Sequence, residues 1–407
     1  MTLTSAPTFP IFDPHTRANP QAVYHAMRAA APIYRSVGPV SGNVIWFFTE
    51  YEDVQAVLKD PRFVKDGYKR LPEPFRTRYY GDAQDPVFAA INRHMLELDP
   101  PDHTRVRSLV HKAFTPRTIQ ALQPRIVEIT HNLLDAMANT PECDLISEFA
   151  YVLPITVIAE MLGVGAENRE KFREWTRFVV IQSPSYEASQ MAALEFIQFI
   201  NEQIDERQRS PKDDILSELV YAEEAGDKLD RVELISMVFL LLVAGHETTV
   251  NLIANGTLAL MQHPAQMRKL QANPRLIHSA VEEMLRYNGP VETPTLRFVV
   301  EPTDYKGHRL ETGDILLPSL LAANRDPKVF PNPDTFDITR SPNPHVAFGF
   351  GIHYCLGAPL ARMEAAIAIN ALVQRYPNIR LSVPEEALIW NDSLLIHGMQ
   401  SLPVRLD

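Results

Sequence analysis

The sequence predicts a mainly α-helical fold with a minor β component, and three observations carry that prediction. The stretch from Leu229 to His263 is strongly apolar and free of proline. Helical periodicity returns in "NPRLIHSAVEEMLRYNGP" (273–290) and "APLARMEAAIAINALVQRY" (358–376). Strand-like runs are few: "LRFVV" (296–300) and "DILLPSLLAAN" (314–324), with an "ETGD" turn between them.

Each element has a local cause. Asp230 followed by Glu233 reads as a capping box that starts the long helix. Continued to His263, that helix runs roughly 50 Å and crosses the whole molecule. In the second helix Asn273 stands at the N-cap, Pro274 in the first turn, and Gly289-Pro290 is the stop. Residues 325–346, rich in Pro, Asn and Asp, form a loop, and Pro359 opens the last helix.

Bulk properties exclude several classes. The 407 residues are 45% hydrophobic and 22% charged, and no Gly/Ser-rich linker interrupts them, so a single domain spanning 1–407 is expected. A net charge of −11 argues against nucleic-acid binding. Cys143 and Cys355 form no disulfide framework, and Cys143 is read as structural. No secretory signal is visible, and "ISMVFLLLVAG" (235–245) is too short for a membrane anchor. A soluble, cytoplasmic chain is therefore expected.

Chemistry concentrates in "FGFGIHYCLG" (348–357). Cys355 lies on a loop just before a helix N-terminus, where unpaired N–H groups and the helix dipole favour a thiolate. Gly351 and Gly357 let the loop turn tightly and approach a flat partner, and Phe348 can shield the sulfur. Such a cysteine serves as a nucleophile, a redox thiol or a metal ligand; a buried structural thiol is the plain alternative.

The spacing Phe348-x-x-Gly351-x-x-x-Cys355-x-Gly357 resembles the haem-binding loop of the cytochrome P-450 superfamily. The resemblance implies that family's helical fold with small β-sheets around haem b, and it makes Cys355 the axial thiolate ligand. "AGHETT" in the long helix is similar to the family's oxygen-activating segment. It implies that Gly245 opens the helix beside Ala244 to admit dioxygen. Thr248 then hydrogen-bonds the iron-bound oxygen species, and Glu247 relays protons. Without the resemblance, Thr248 reads as back-bonded to the preceding turn. Glu283-x-x-Arg286 with Arg340 matches the family's structural triad behind the cysteine loop. His103, Arg107, Arg297 and His353 match its propionate-binding positions.

Substrate contacts are implied at Leu240, Val243 and Ala244, at Val291, Thr293 and Thr295, at Leu394, Leu395 and Ile396, and in the loop between Phe63 and Met95. An apolar pocket of this kind suits a fatty acid, terpenoid, steroid or macrolide-like molecule. Arg76 and Arg78 could anchor a carboxylate, but solvated loop positions are the better reading of them. No flavin or nicotinamide fingerprint is apparent, so electrons are expected from outside, and the resemblance implies a ferredoxin or flavodoxin with its NAD(P)H-dependent reductase. Arg105, Arg107, Lys112 and Arg362 are the cations expected to steer that partner. The expected activity is a monomeric haem-thiolate monooxygenase that hydroxylates or epoxidises its substrate. A haem-thiolate sensor would not need Glu247-Thr248. A nucleophilic-cysteine enzyme would need a general base that the sequence does not show.

Overall fold

The computed structural model describes residues 7–39, 41–80, 85–165, 168–176, 185–224 and 226–407. Its centre is the helix Arg231–Gln262, 32 residues long. Asp230 caps it as expected: its carboxylate accepts from Glu233 N at 2.8 Å, and the Glu233 carboxylate accepts from Asp230 N at 3.0 Å. Most of the helix is buried, because Val152–Met161, Pro86–Asn92, Ile277–Asn288 and Ala358–Arg375 pack against several of its faces. It is long and apolar enough to cross a membrane, but 72% of its most apolar window is buried inside the fold. A helix apolar all round is what a core position demands.

The β component is larger than the two segments read from sequence. Val44–Phe48 pairs antiparallel with Ile33–Val37 and parallel with Ile315–Pro318. Ile315–Pro318 pairs antiparallel with Arg297–Val299, which pairs with Phe63–Val64. Alternation is weak in these strands because most are covered on both faces (Ile315–Pro318 is buried throughout). The expected strand 314–324 stops at Pro318. Ser319 then caps a short helix, Leu320–Ala323, by accepting from Ala322 N at 3.1 Å. A hairpin of Thr303–Tyr305 and His308–Leu310 also separates the two expected strands.

The second expected helix begins with a 3-10 turn, Pro274–Leu276, before Ile277–Asn288, and Asn273 makes no side-chain cap. The last helix, Ala358–Arg375, carries Pro359 in its first turn as expected. The fold thus sets the cysteine loop between Ala358–Arg375 and the helix Tyr51–Lys59, where the carbonyl of Leu58 lies beside Gly351.

Candidate functional site: a cysteine loop, a basic cluster and an open stretch of the central helix

Cys355 is held by its backbone, with its N–H donating to Phe348 O at 3.0 Å. Gly351 has φ +77°, and a Cβ there would press to 3.2 Å from Leu58 O, so this position requires glycine. Gly357, expected to share that role, has an ordinary φ of −79°. The second left-handed residue is Gly349, at φ +75°. Phe348 packs against the core, with the Arg362 guanidinium 4.4 Å from its ring centroid.

The expected thiolate stabilisation at Cys355 is outweighed in the protein alone. Burial pushes the thiol upward more strongly than the N–H groups of Gly357 and Ala358 and the charges of Arg107 and Arg362 pull it down. By residue surface Cys355 is nonetheless exposed. Both statements hold for a sulfur that is accessible yet surrounded by protein, and the loss of hydration sets the direction. A metal ion on the sulfur would supply the positive charge that the loop does not.

Beside the cysteine, residues remote in sequence converge. Arg107 donates to Tyr354 O at 2.7 Å, next to the sulfur-bearing residue. The rings of His103 and His353 lie 4.3 Å apart. His103 is 2% exposed, and neither ring nitrogen has a partner. Burial, followed by the neighbouring Arg107, pulls its pKa down to about 4, and burial depresses His353 also. Arg297 is 4% exposed and donates to Leu58 O at 3.2 Å. Among the described residues no carboxylate lies within ion-pair distance of Arg107 or Arg297. Two guanidinium groups without counter-ions, beside a buried imidazole whose ring nitrogens have no partner, fit a dianionic group such as the two haem propionates.

Away from its two ends, the central helix is accessible only where its chemistry is expected. Ala244 is exposed and Val243, Gly245, Glu247 and Thr248 are half-buried, between the buried runs 233–242 and 249–260. The helix does not open at Gly245, contrary to the sequence expectation; it is regular throughout Arg231–Gln262. Gly245 instead makes room for Ile158, whose side chain would lie 3.3 Å from a Cβ. Thr248 Oγ1 donates to Ala244 O at 2.9 Å, the back-bond that its position allowed. Glu247 Oε1 lies 3.2 Å from His246 Nε2. His246 Nδ1 is 2.6 Å from Leu242 O, which can only accept, so the imidazole proton sits on Nδ1.

The triad assembles as expected. Glu283 and Arg286 are fully buried, and Arg340 Nε reaches both Glu283 oxygens at 3.2 Å. Arg286 and Arg340 also donate to the carbonyls of Asn324, Pro331, Pro333 and Thr335, which fixes the loop that leads to the cysteine.

Other expectations are redirected. Thr293 is buried, and its hydroxyl is spent on Leu394 O at 2.8 Å, so it ties the two pocket-side segments together. Leu240 is also buried, while Val291, Leu394, Leu395 and Ile396 are half-buried. Arg76 pairs with Glu73 at 2.5 Å and Arg78 donates to Gly42 O, so neither is a free anchor. Residues 81–84 of the Phe63–Met95 loop lie outside the described residues. Arg105 pairs with Glu233, Arg362 pairs with Glu282 at 2.6 Å, and Lys112 donates to Glu223 O. The carboxylates on Arg105 and Arg362 compensate part of the charge expected to steer an electron donor.

One group escaped the sequence reading. Glu364 on Ala358–Arg375 is 1% exposed, and burial pushes its carboxyl up to about 8 against the opposing pull of a Thr249 hydrogen bond. The signal was a single carboxylate on an otherwise apolar helix face.

Comparison with known proteins agrees with this geometry. The cytochrome P450 family model matches residues 185–396. The polyketide biosynthesis cytochrome P450 PksS of Bacillus subtilis (strain 168) is 44% identical over 98% of this chain and 99% of its own. The monooxygenase PikC of Streptomyces venezuelae is 45% identical over 95% of this chain and 91% of its own. A myxobacterial cytochrome P450 solved with myristic acid superposes with a TM-score of 0.92 at 45% identity, covering 98% and 99% of the two chains. This chain belongs to the cytochrome P450 family: it is a bacterial-type haem-thiolate monooxygenase that acts on lipophilic substrates and draws its electrons from redox partners.

Proposed function

We propose that Cys355 is the haem ligand and that the chain hydroxylates or epoxidises a fatty-acyl, polyketide, terpenoid or steroid molecule. The observation that carries this reading is the convergence beside Cys355 of buried His103 and Arg297 with half-buried Arg107 and His353, the two arginines without a carboxylate at ion-pair distance among the described residues. When bound, haem supplies the activation of dioxygen, and the protein supplies binding, orientation and protons. His103, Arg107, Arg297 and His353 would hold the propionates, and Phe348, Gly351 and Gly357 would shape the loop that presents Cys355 to the iron.

The distal residues divide the remaining work. Thr248 spends its hydroxyl proton on Ala244 O, so its oxygen faces the site as an acceptor. That oxygen orients a water or a protonated group towards the reacting oxygen. Glu247 moves protons inward from its half-exposed position. Glu364, one residue's reach away through Thr249, holds a proton near neutrality. Ala244, Val243, Val291, Leu395 and Ile396 offer apolar surface to the substrate, with Leu240 behind them.

Relatives support the substrate class: PksS is named for polyketide biosynthesis, and P450BioI was solved with a fatty-acyl acyl carrier protein. We place the chain in the cytoplasm as a single-domain monomer supplied by a ferredoxin or flavodoxin and its reductase. The test is turnover of a panel of macrolactones, fatty acids and steroids with a surrogate ferredoxin system under labelled dioxygen. One labelled oxygen atom in a product supports the proposal. Electron consumption without incorporation into any member of the panel counts against it.

A further inference from the structure

Lys65 is a buried cation that makes no ion pair among the described residues. It follows the strand Phe63–Val64, whose register sets Val64 opposite Phe298. One step further along that register, Lys65 comes opposite Arg297. Lys65 is 2% exposed and Arg297 is 4% exposed. The Lys65 ammonium donates to the Thr295 hydroxyl. Among the described residues no carboxylate lies within ion-pair distance of it. The nearby Asp99 carboxylate is occupied by backbone, accepting from Lys65 N at 3.0 and 3.1 Å and from Asp66 N at 3.0 Å. Glu97, the other acidic neighbour, is itself shifted towards its neutral form by burial.

A buried ammonium with one neutral partner is costly, and an apolar side chain would fill the same space at lower cost. Burial pulls Lys65 down to about 8 and Arg297 to about 10, so both cations are strained towards neutrality. His103 and His353 feel the charge of Lys65, which sets the ammonium near the same edge of the site. An anion delivered to that edge would relieve all of these groups together.

We propose that Lys65 is a fifth contact of the haem carboxylates, donating a charge-assisted hydrogen bond to a propionate from the substrate side of the His103–Arg107–Arg297–His353 cluster. This rests on the reading of that cluster as the propionate cradle. Lys65 acts as a pairing cation whose proton is secured when the carboxylate binds, and Thr295 then holds the ammonium in place.

The test uses purified holoprotein and measures haem release to an excess of a haem-accepting globin, together with the propionate vibrations in resonance Raman spectra. Lys65→Met is expected to release haem about tenfold faster, the factor that follows from losing one such bond. It should also shift a propionate band while leaving the carbon-monoxide Soret position unchanged. Unaltered release, or faster release with unshifted propionate bands, overturns the proposal, since a merely structural lysine behaves that way. Arg297→Met is the control: if it changes neither quantity, the cradle reading fails and the proposal fails with it. Should Lys65→Met not accumulate as folded holoprotein, Lys65→Arg and Lys65→Gln decide. Slow release retained by Arg and lost by Gln supports the pairing, and equal behaviour overturns it.

Discussion

Arg286 grips Glu283 with two parallel hydrogen bonds, Nε to Oε2 at 2.7 Å and Nη2 to Oε1 at 2.8 Å, and both side chains are fully buried. The same carboxylate also accepts from Arg340, Asp337 N and Asn343 Nδ2. Five donors around one carboxylate explain how a pair that is ordinary on a helix surface becomes an organising centre here. Removing one partner of a buried pair leaves the other uncompensated, at roughly 3–5 kcal/mol. Glu283→Gln is therefore expected to lower thermal stability by several degrees and to leave much of the protein without haem. Unchanged melting and haem content would show that the triad is dispensable.

Cys355→His and Cys355→Ala address the ligand. Both are expected to abolish thiolate ligation; the His variant retains some haem through nitrogen and shows a carbon-monoxide spectrum of the histidine type. A thiolate spectrum in either variant would assign the iron to another residue.

Thr248→Ala removes the acceptor hydroxyl from the open stretch of the central helix. Electron consumption is expected to persist while product per electron pair falls by about tenfold or more, with peroxide released instead. Thr248→Ser, which keeps the hydroxyl and its back-bond, should restore most of the coupling. Full coupling in the alanine variant would remove Thr248 from proton delivery.

Glu364 gives a pH prediction with a definite sign. Its carboxyl is raised in the folded state to about 8 from an ordinary 4.5, so the folded protein binds the extra proton between those values. Stability must then fall as pH rises through that window, by on the order of a few kcal/mol in total. Glu364→Gln is expected to flatten the fall, as read by denaturant midpoints at pH 5, 6.5 and 8. A parallel, equally steep curve for the variant would show that Glu364 ionises as freely folded as unfolded.

Different physics explains what the sequence revealed and what it concealed. The central helix was legible because Asp230 and Glu233 mark its start and proline is absent for the next 30 residues. The cysteine loop was legible because its residue types are dictated locally: Gly351 needs its left-handed backbone, and Cys355 follows at a fixed step. Gly245 was misjudged because its reason is tertiary, the side chain of Ile158 on a helix 87 residues earlier (245 less 158). The sheet was largely hidden because four of its five strands are at most five residues long and covered on both faces, so alternation gave no signal. Lys65 and Glu364 were invisible for another reason. A lysine or glutamate is ordinary in any sequence, and only burial without a partner makes it informative.

The central claim is that this chain binds haem through the Cys355 thiolate. The measurement that tests it most directly is the carbon-monoxide difference spectrum of the reduced protein, recorded for the unaltered chain and for Cys355→His. The account predicts a strongly red-shifted Soret band in the first, lost in the second. A band at the histidine position in the unaltered protein, or a red-shifted band that survives the substitution, would contradict it.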